Sequence, residues 1–209
     1  TTPEAMNELG SPERLRTYAQ SEFVEYYSQD THAEFGVSVW ANNAWITLVG
    51  IVTGITGFFP LKILWDNAVS LGTSAAVVIT YGGAWHFFRF ILPHGVPELT
   101  AVFISIAAGL RIFWAFLVPG PASRFQAVGQ AARAAMTVAV GCAILLAGSG
   151  FLEGFVTPSE LPDALKISLG LLLTAAAWAY ILLLGRRADR AGLSSDVGTD
   201  AGYYQPVSC

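Results

Sequence analysis

The sequence predicts an all-α polytopic membrane protein: a transmembrane helical bundle of about five membrane helices, preceded by an amphipathic helix and interrupted by a broken or re-entrant element near 84–97. Three observations carry that expectation. Hydrophobic residues make up 54% of the 209-residue chain and charged ones only 12%, with a mean hydropathy of +0.53, against roughly 25% charged in an ordinary soluble domain. Apolar stretches of about 20 residues recur between Val37 and Gly185, each long enough to cross a hydrocarbon core of ~30 Å. Of the 15 acidic residues only Asp66, Glu98, Glu153, Glu160 and Asp163 fall in that range, so the formal charge of −4 arises mainly in the flanks. No basic stripe with interleaved aromatics points to nucleic acid. Two cysteines, Cys142 in an apolar run and Cys209 at the last position, make no disulfide framework.

The chain divides into an N-terminal helical segment (1–36), a membrane domain (37–185) and a polar tail (186–209). In the first, Ser11 before Pro12 and Glu13 reads as an N-cap with proline at the first helical position. Leu15, Ala19, Phe23 and Tyr27 then recur every four residues along one face. The other face carries Glu22, Glu25, Asp30 and Glu34, which disfavours docking on anionic lipid. Packing on the protein's own spans, or on a partner subunit, is expected instead.

The first span runs from Val37 to Phe59, with Trp40 and Trp45 at belt positions and Gly50, Gly54 and Gly57 on a small-residue face that admits a close neighbour. Pro60 ends it. The second, Leu61 to Tyr81, opens with Lys62, Trp65, Asp66 and Asn67 as an interfacial turn and closes at Gly82-Gly83. Ala84 to Leu92 would be only about 14 Å long as a helix, too short to cross. It reads as an interfacial helix or one limb of a re-entrant element, and His86 and Arg89 disfavour a lipid-facing position. Pro97 to Val118 is the third full span, stopped by Pro119-Gly120. Pro121 to Arg133 reads as a connector and Ala134 to Val156 as the fourth span. Thr157-Pro158-Ser159-Glu160 has the form of a capping box ahead of the last span, Asp163 to Gly185, which Arg186, Arg187 and Arg190 terminate. The tail beyond them, with Tyr203-Tyr204, is too polar to form a core and is expected to be mobile.

Arg124, Arg133 and the arginines at 186, 187 and 190 favour a cytoplasmic face for the fourth connection and the C-terminus. Five crossings then place the N-terminal helix outside, whereas a sixth partial crossing by Ala84–Leu92 returns it to the cytoplasm.

Ionisable groups inside spans cost a few kcal/mol each on insertion scales, so each invites a functional reading. The centre of interest is Leu92-Pro93-His94-Gly95-Val96-Pro97-Glu98-Leu99. A structural reading makes Glu98 a first-turn acid after Pro97, worth about 0.3–1 kcal/mol against the helix dipole, and lets His94 satisfy carbonyls freed at the break. A functional reading makes them a buried pair for proton or ion transfer, or for anion binding at a helix N-terminus. Arg111 is thirteen residues beyond Glu98, about 140° around the helix and roughly 20 Å along it. Arg89 across the proline turn and Arg133 from the neighbouring span are therefore the expected partners of Glu98, and Glu153 needs a partner from elsewhere. Two histidines near one glutamate fall short of the zinc-protease helical spacing, and the cysteines offer no ligand set, so neither a metal nor a cofactor is expected.

The succession NNAWITLVGIVTGITG (Asn42–Gly57), DNAVSLG (Asp66–Gly72), LPHGVPELTAVFISIAAGLR (Leu92–Arg111), PGPASR (Pro119–Arg124) and LEGFVTPSELP (Leu152–Pro162) resembles the stage II sporulation protein M family, in its actinobacterial-type branch. The resemblance implies a polytopic protein of the cytoplasmic membrane. In endospore formers the family member is a scaffold for partners that remodel peptidoglycan; many relatives belong to organisms that form no endospores. It also marks Asn43, Asn67, Gly72, His94, Gly95, Glu98, Gly109, Arg111, Arg124, Glu153, Thr157 and Pro158 as shared positions, none of them with an established catalytic role. The expectation is a non-enzymatic scaffold or assembly subunit of the cell envelope, homo-oligomeric, in contact with lipid and other membrane proteins. The alternative is a transporter or channel-like protein whose polar site is the broken helix around His94 and Glu98.

Overall fold

The structure, a computed structural model, describes residues 3–26 and 31–193. Five helices among them are long and apolar enough to cross a membrane: His32–Thr56, Phe59–Gly82, Ala84–Leu117, Arg124–Val156 and Asp163–Arg190. The predicted all-α class and span number hold. Tyr27, Asp30 and the tail from residue 194, including Tyr203-Tyr204 and Cys209, lie outside the described residues.

Two short helices, α1 (Pro3–Leu9) and α2 (Pro12–Thr17), open the chain, and α2 continues through a π turn (Tyr18–Glu22) into α3 (Phe23–Glu25). Ser11 accepts a hydrogen bond from the Arg14 amide, as the Ser-Pro-Glu start predicts. Leu15, Ala19 and Phe23 are buried against Phe35 and Val39 of the next helix and Val77, Val78, Phe87 and Phe90 beyond it. The amphipathic face thus docks on the protein's own spans.

The first span, α4 (His32–Val52), begins five residues before Val37, with Thr31 as its N-cap, and ends in a 3₁₀ turn (Thr53–Thr56) and Gly57 at φ 68°. Proline near its start and Gly83 at φ 91° bound α5 (Phe59–Gly82). The third, α6 (Ala84–Leu117), is one continuous helix with Pro93 and Pro97 inside it. The break expected near 84–97 does not form. Each proline removes one amide, which frees the carbonyls of Arg89 and Pro93, but neighbouring helices can accommodate such groups inside a bundle. The Pro93 carbonyl lies against Gly170, whose missing side chain makes room for it, and the adjacent His94 carbonyl accepts from the Ser149 hydroxyl at 2.8 Å.

The connector expected over Pro121–Arg133 is likewise helical from Arg124. Ser123 and Gln126 form a reciprocal capping box, and α7 (Arg124–Phe151) runs straight into a π turn (Leu152–Val156). The last span is α8 (Asp163–Ala179), extended by a π turn (Tyr180–Gly185) and α9 (Arg186–Arg190). It starts after Pro162 with no side-chain cap. Thr157 is no N-cap; its hydroxyl donates backward to the Leu152 carbonyl at 3.1 Å.

Helix α6 is central and touches the other four spans. Contacts fix the directions. Gly54 meets the Gly109 backbone and Gly50 faces Ser105, so α4 runs parallel to α6. Ser149 reaches His94 and Cys142 reaches Ala101, so α7 runs antiparallel to it. Glycines set the closest approaches: Gly36 of α4 lies on the backbone of Gly150 and Gly154, where any Cβ would strike main chain. The small-residue face read in the first span does what its composition suggests.

Candidate functional site

Continuity of α6 decides the geometry of the site. His94 and Glu98 are separated by one helical turn and share a face. Glu153 comes to them from the π turn that ends the antiparallel α7. One ligand-capable atom from each of the three lies within 4.8 Å of the others. His94 and Glu153 are each only 4% exposed, and His94 Nε2 stands 3.8 Å from Glu153 Oε1. The π turn widens the backbone at the position of Glu153, and such turns recur at functional sites.

Polar neighbours complete the group. The side chains of Asn43, Ser149 and Glu153 lie beside the Glu98 carboxyl. His94 Nδ1 faces Thr157 Oγ1 at 3.4 Å. Because that hydroxyl donates to the Leu152 carbonyl, its oxygen is free to accept from Nδ1–H. His94 Nε2 lies on the side of Glu153. Glu98 Oε1 and Glu153 Oε2 are buried with no hydrogen-bond partner. Two carboxyls side by side repel when both are charged, and a shared proton or a cation between them relieves that repulsion.

A cavity of about 810 Å³ reaches this cluster. Its walls mix polar side chains, Ser38, Asn42 and Asn43 on α4 and Asn67, Ser70 and Ser74 on α5, with apolar ones such as Val39, Leu71 and Val102. The N-terminal segment supplies Tyr18, Glu22 and Tyr26 as a further wall. Burial pushes the Tyr26 phenol above its ordinary pKa, and negative charge on the Glu153–Glu98 pair pushes it further the same way.

The residues singled out from sequence separate into two sets. His94, Glu98, Glu153 and Asn43 come together, and Asn67 lines the same cavity while donating to the Ile63 carbonyl at 2.9 Å. Arg89, Arg111 and Arg133 do not join them. Arg89 is nine residues before Glu98 and so on the opposite face of a continuous helix; its Nε lies 3.8 Å from Asp163 Oδ2 and its guanidinium stacks over Phe90. Arg133 is exposed on α7, whose antiparallel course sets Ala131 and Ala135 beside Ile112, well along α6 from Glu98. Arg111 is exposed as well. The partners expected for Glu98 are thus replaced by an amide, a hydroxyl and a second carboxyl.

Ser149 and Lys166 were not singled out. Lys166 is buried and its Nζ donates to the carbonyls of Thr157 and Ser159 at 2.8 and 2.6 Å. A lysine within the apolar run that begins at Asp163 was the signal for it. Ser149 carried none, since serine is common on membrane-helix interfaces.

Fold and site together define a helical membrane protein with an ionisable cluster inside its bundle. Residues 3–158 match the family model of Stage II sporulation protein M, and the chain belongs to that family. No curated protein and no solved structure matches it.

Proposed function

We propose that the protein is transporter- or channel-like, with His94, Glu98 and Glu153 as a cation-binding station inside the cytoplasmic membrane. The observation that supports this reading is the cavity that reaches three ionisable side chains on the central helices, His94 and Glu153 buried and Glu98 half-buried. Their insertion costs a few kcal/mol each, which a purely structural bundle has no need to bear. Two adjacent carboxyls beside an imidazole suit transient capture of a proton or small cation. If all five long helices cross, the odd number puts the N-terminal helices and the end of α8 on opposite sides. The arginines of α9 then orient the C-terminus toward the cytoplasm.

The second reading is an oligomeric scaffold or assembly subunit of the cell envelope. It is favoured by how little of α5 and α8 the chain itself covers: in each, 11% of the most apolar window is buried. The two readings demand different things of one carboxylate. Protein reconstituted in vesicles under an imposed potential, with a trapped pH-sensitive dye, reports proton flux. The expected result is flux above protein-free vesicles for the native chain and its loss in Glu98→Gln, with helicity and detergent behaviour unchanged. Native flux no greater than that of empty vesicles, or full flux in Glu98→Gln, overturns the translocating role.

A further inference from the structure

We infer that His94, Glu98 and Glu153 form a binding site for one divalent transition-metal ion of the zinc type. This deepens the cation-station reading by naming the ion class, and it rests on the siting of that station rather than on translocation.

The donor geometry is the first ground. Three ligand atoms within 4.8 Å of one another enclose a point about 2.8 Å or less from all three, and small carboxylate rotations close the gap to the ~2.0–2.2 Å of zinc–nitrogen and zinc–oxygen bonds. A second ground is that Glu98 and Glu153 each present a buried oxygen with no donor to satisfy it while their carboxyls lie side by side. Such a pair calls for a proton or a cation between its oxygens, and a cation also engages the adjacent imidazole.

The orientation of the imidazole is a third and independent ground. Metal-bound histidine commonly donates its other ring N–H to an oxygen acceptor that fixes ring and tautomer. Thr157 fills that role for His94 Nδ1, its own proton being committed to the Leu152 carbonyl. Nε2 lies on the side of Glu153, 3.8 Å from its Oε1.

Charge selects the ion. Two carboxylates with a dication sum to zero, the least costly state for an ionic group away from water. Magnesium and calcium favour all-oxygen shells, whereas imidazole with carboxylates suits zinc and its neighbours in the first transition row. Asn43 beside Glu98 and the adjoining cavity leave room for water or a solute in the remaining positions.

The test uses the full chain in detergent, stripped with a chelator and then exposed to Zn²⁺. Elemental analysis after desalting and titration calorimetry give stoichiometry and affinity. One Zn²⁺ per chain is expected, undisplaced by excess Mg²⁺. Affinity should fall about tenfold or more in Thr157→Val, which removes the orienting oxygen along with its bond to the Leu152 carbonyl but no ligand, and further in His94→Ala and Glu153→Gln. Substoichiometric zinc in the native chain, or equal retention in these variants, overturns the site. Should the ligand variants fail to fold, Co²⁺ added to the native chain decides. Intense visible bands of four- or five-coordinate cobalt uphold the site, and the weak spectrum of the hydrated ion rejects it. Proton flux in zinc-free vesicles separates the two proposals: zinc binding without flux keeps the metal site and removes translocation, and flux without zinc binding does the reverse.

Discussion

The imidazole of His94 and the carboxyl of Glu153 face each other at 3.8 Å, both almost wholly buried, one from the first third of α6 and the other from the π turn that follows α7. That separation is too long for a direct hydrogen bond and short enough for a bridging cation. The first prediction concerns what Glu153→Gln does to it. The amide is nearly the same size as the carboxyl and can donate to Nε2, while it ends the close approach of two acids. The variant should therefore melt at or above the native temperature, followed by tryptophan fluorescence in detergent, while cation binding is lost. A melting point well below native would mean that Glu153 serves as structural support first.

A second prediction contrasts two glycines. A Cβ at Gly170 would collide with the Pro93 backbone, whereas one at Gly72 meets nothing within 4 Å. Gly170→Ala should cost about 1–3 kcal/mol through forced separation of α8 from α6, and it should disturb the proline segment that carries His94. Gly72→Ala should be neutral or stabilising by up to about 1 kcal/mol, since alanine is the better helix former. Thermal or denaturant unfolding of both variants in one detergent checks the difference.

How much of this was legible in the sequence depends on which physical rule operates alone. Hydrophobic length set the number of spans because an apolar run of about 20 residues satisfies its backbone in lipid as a helix, whereas a barrel strand needs only about half that length. The periodic face of Leu15, Ala19 and Phe23 foretold the docking of the N-terminal helix because a four-residue repeat has one geometric meaning. Pro93 and Pro97 misled, because proline breaks isolated helices, and here Gly170 and Ser149 on other helices accommodate the carbonyls around them. Once the break is removed, Arg89 turns away from Glu98 and His94 comes into line with it. Glu153 could be recognised as a group in want of a partner, but its meeting with His94 and Glu98 depends on the antiparallel packing of α6 and α7. Thr157 read as a cap by its motif, and only the π turn at Leu152 shows why its hydroxyl points backward.

A third prediction follows from the carbonyl of His94. Ser149 Oγ donates to it at 2.8 Å with both residues buried. Ser149→Ala should cost about 1 kcal/mol, the usual scale for hydrogen bonds between membrane helices. Ser149 also stands beside Glu98, so the same change should alter cation affinity; Ser149→Thr, which keeps the hydroxyl, should restore part of both. Unfolding and zinc titration of the pair measure the two effects separately. Equal loss in the alanine and threonine variants would show that packing volume, rather than the hydroxyl, matters at this position.

The last prediction concerns Lys166, which reaches the site only through backbone. Its ammonium donates to the carbonyls of Thr157 and Ser159, holding the loop between α7 and α8 in the shape that aims Thr157 at His94. Lys166→Met preserves the length and apolar stem of the side chain but removes all three donors. Two carbonyls then lose charge-assisted bonds, for which about 1.5–3 kcal/mol apiece is an upper range because water can reach the neighbouring loop. Melting should fall clearly, and zinc affinity should fall with it, since the acceptor that fixes the His94 ring is no longer held. Lys166→Arg keeps the charge but carries a larger planar group into a buried site, so it should recover little. The informative comparison is the double variant Lys166→Met with Thr157→Val. If Lys166 acts on the metal through Thr157, the double variant binds zinc no more weakly than the weaker single variant; if the losses multiply, the lysine acts on the cluster by another route.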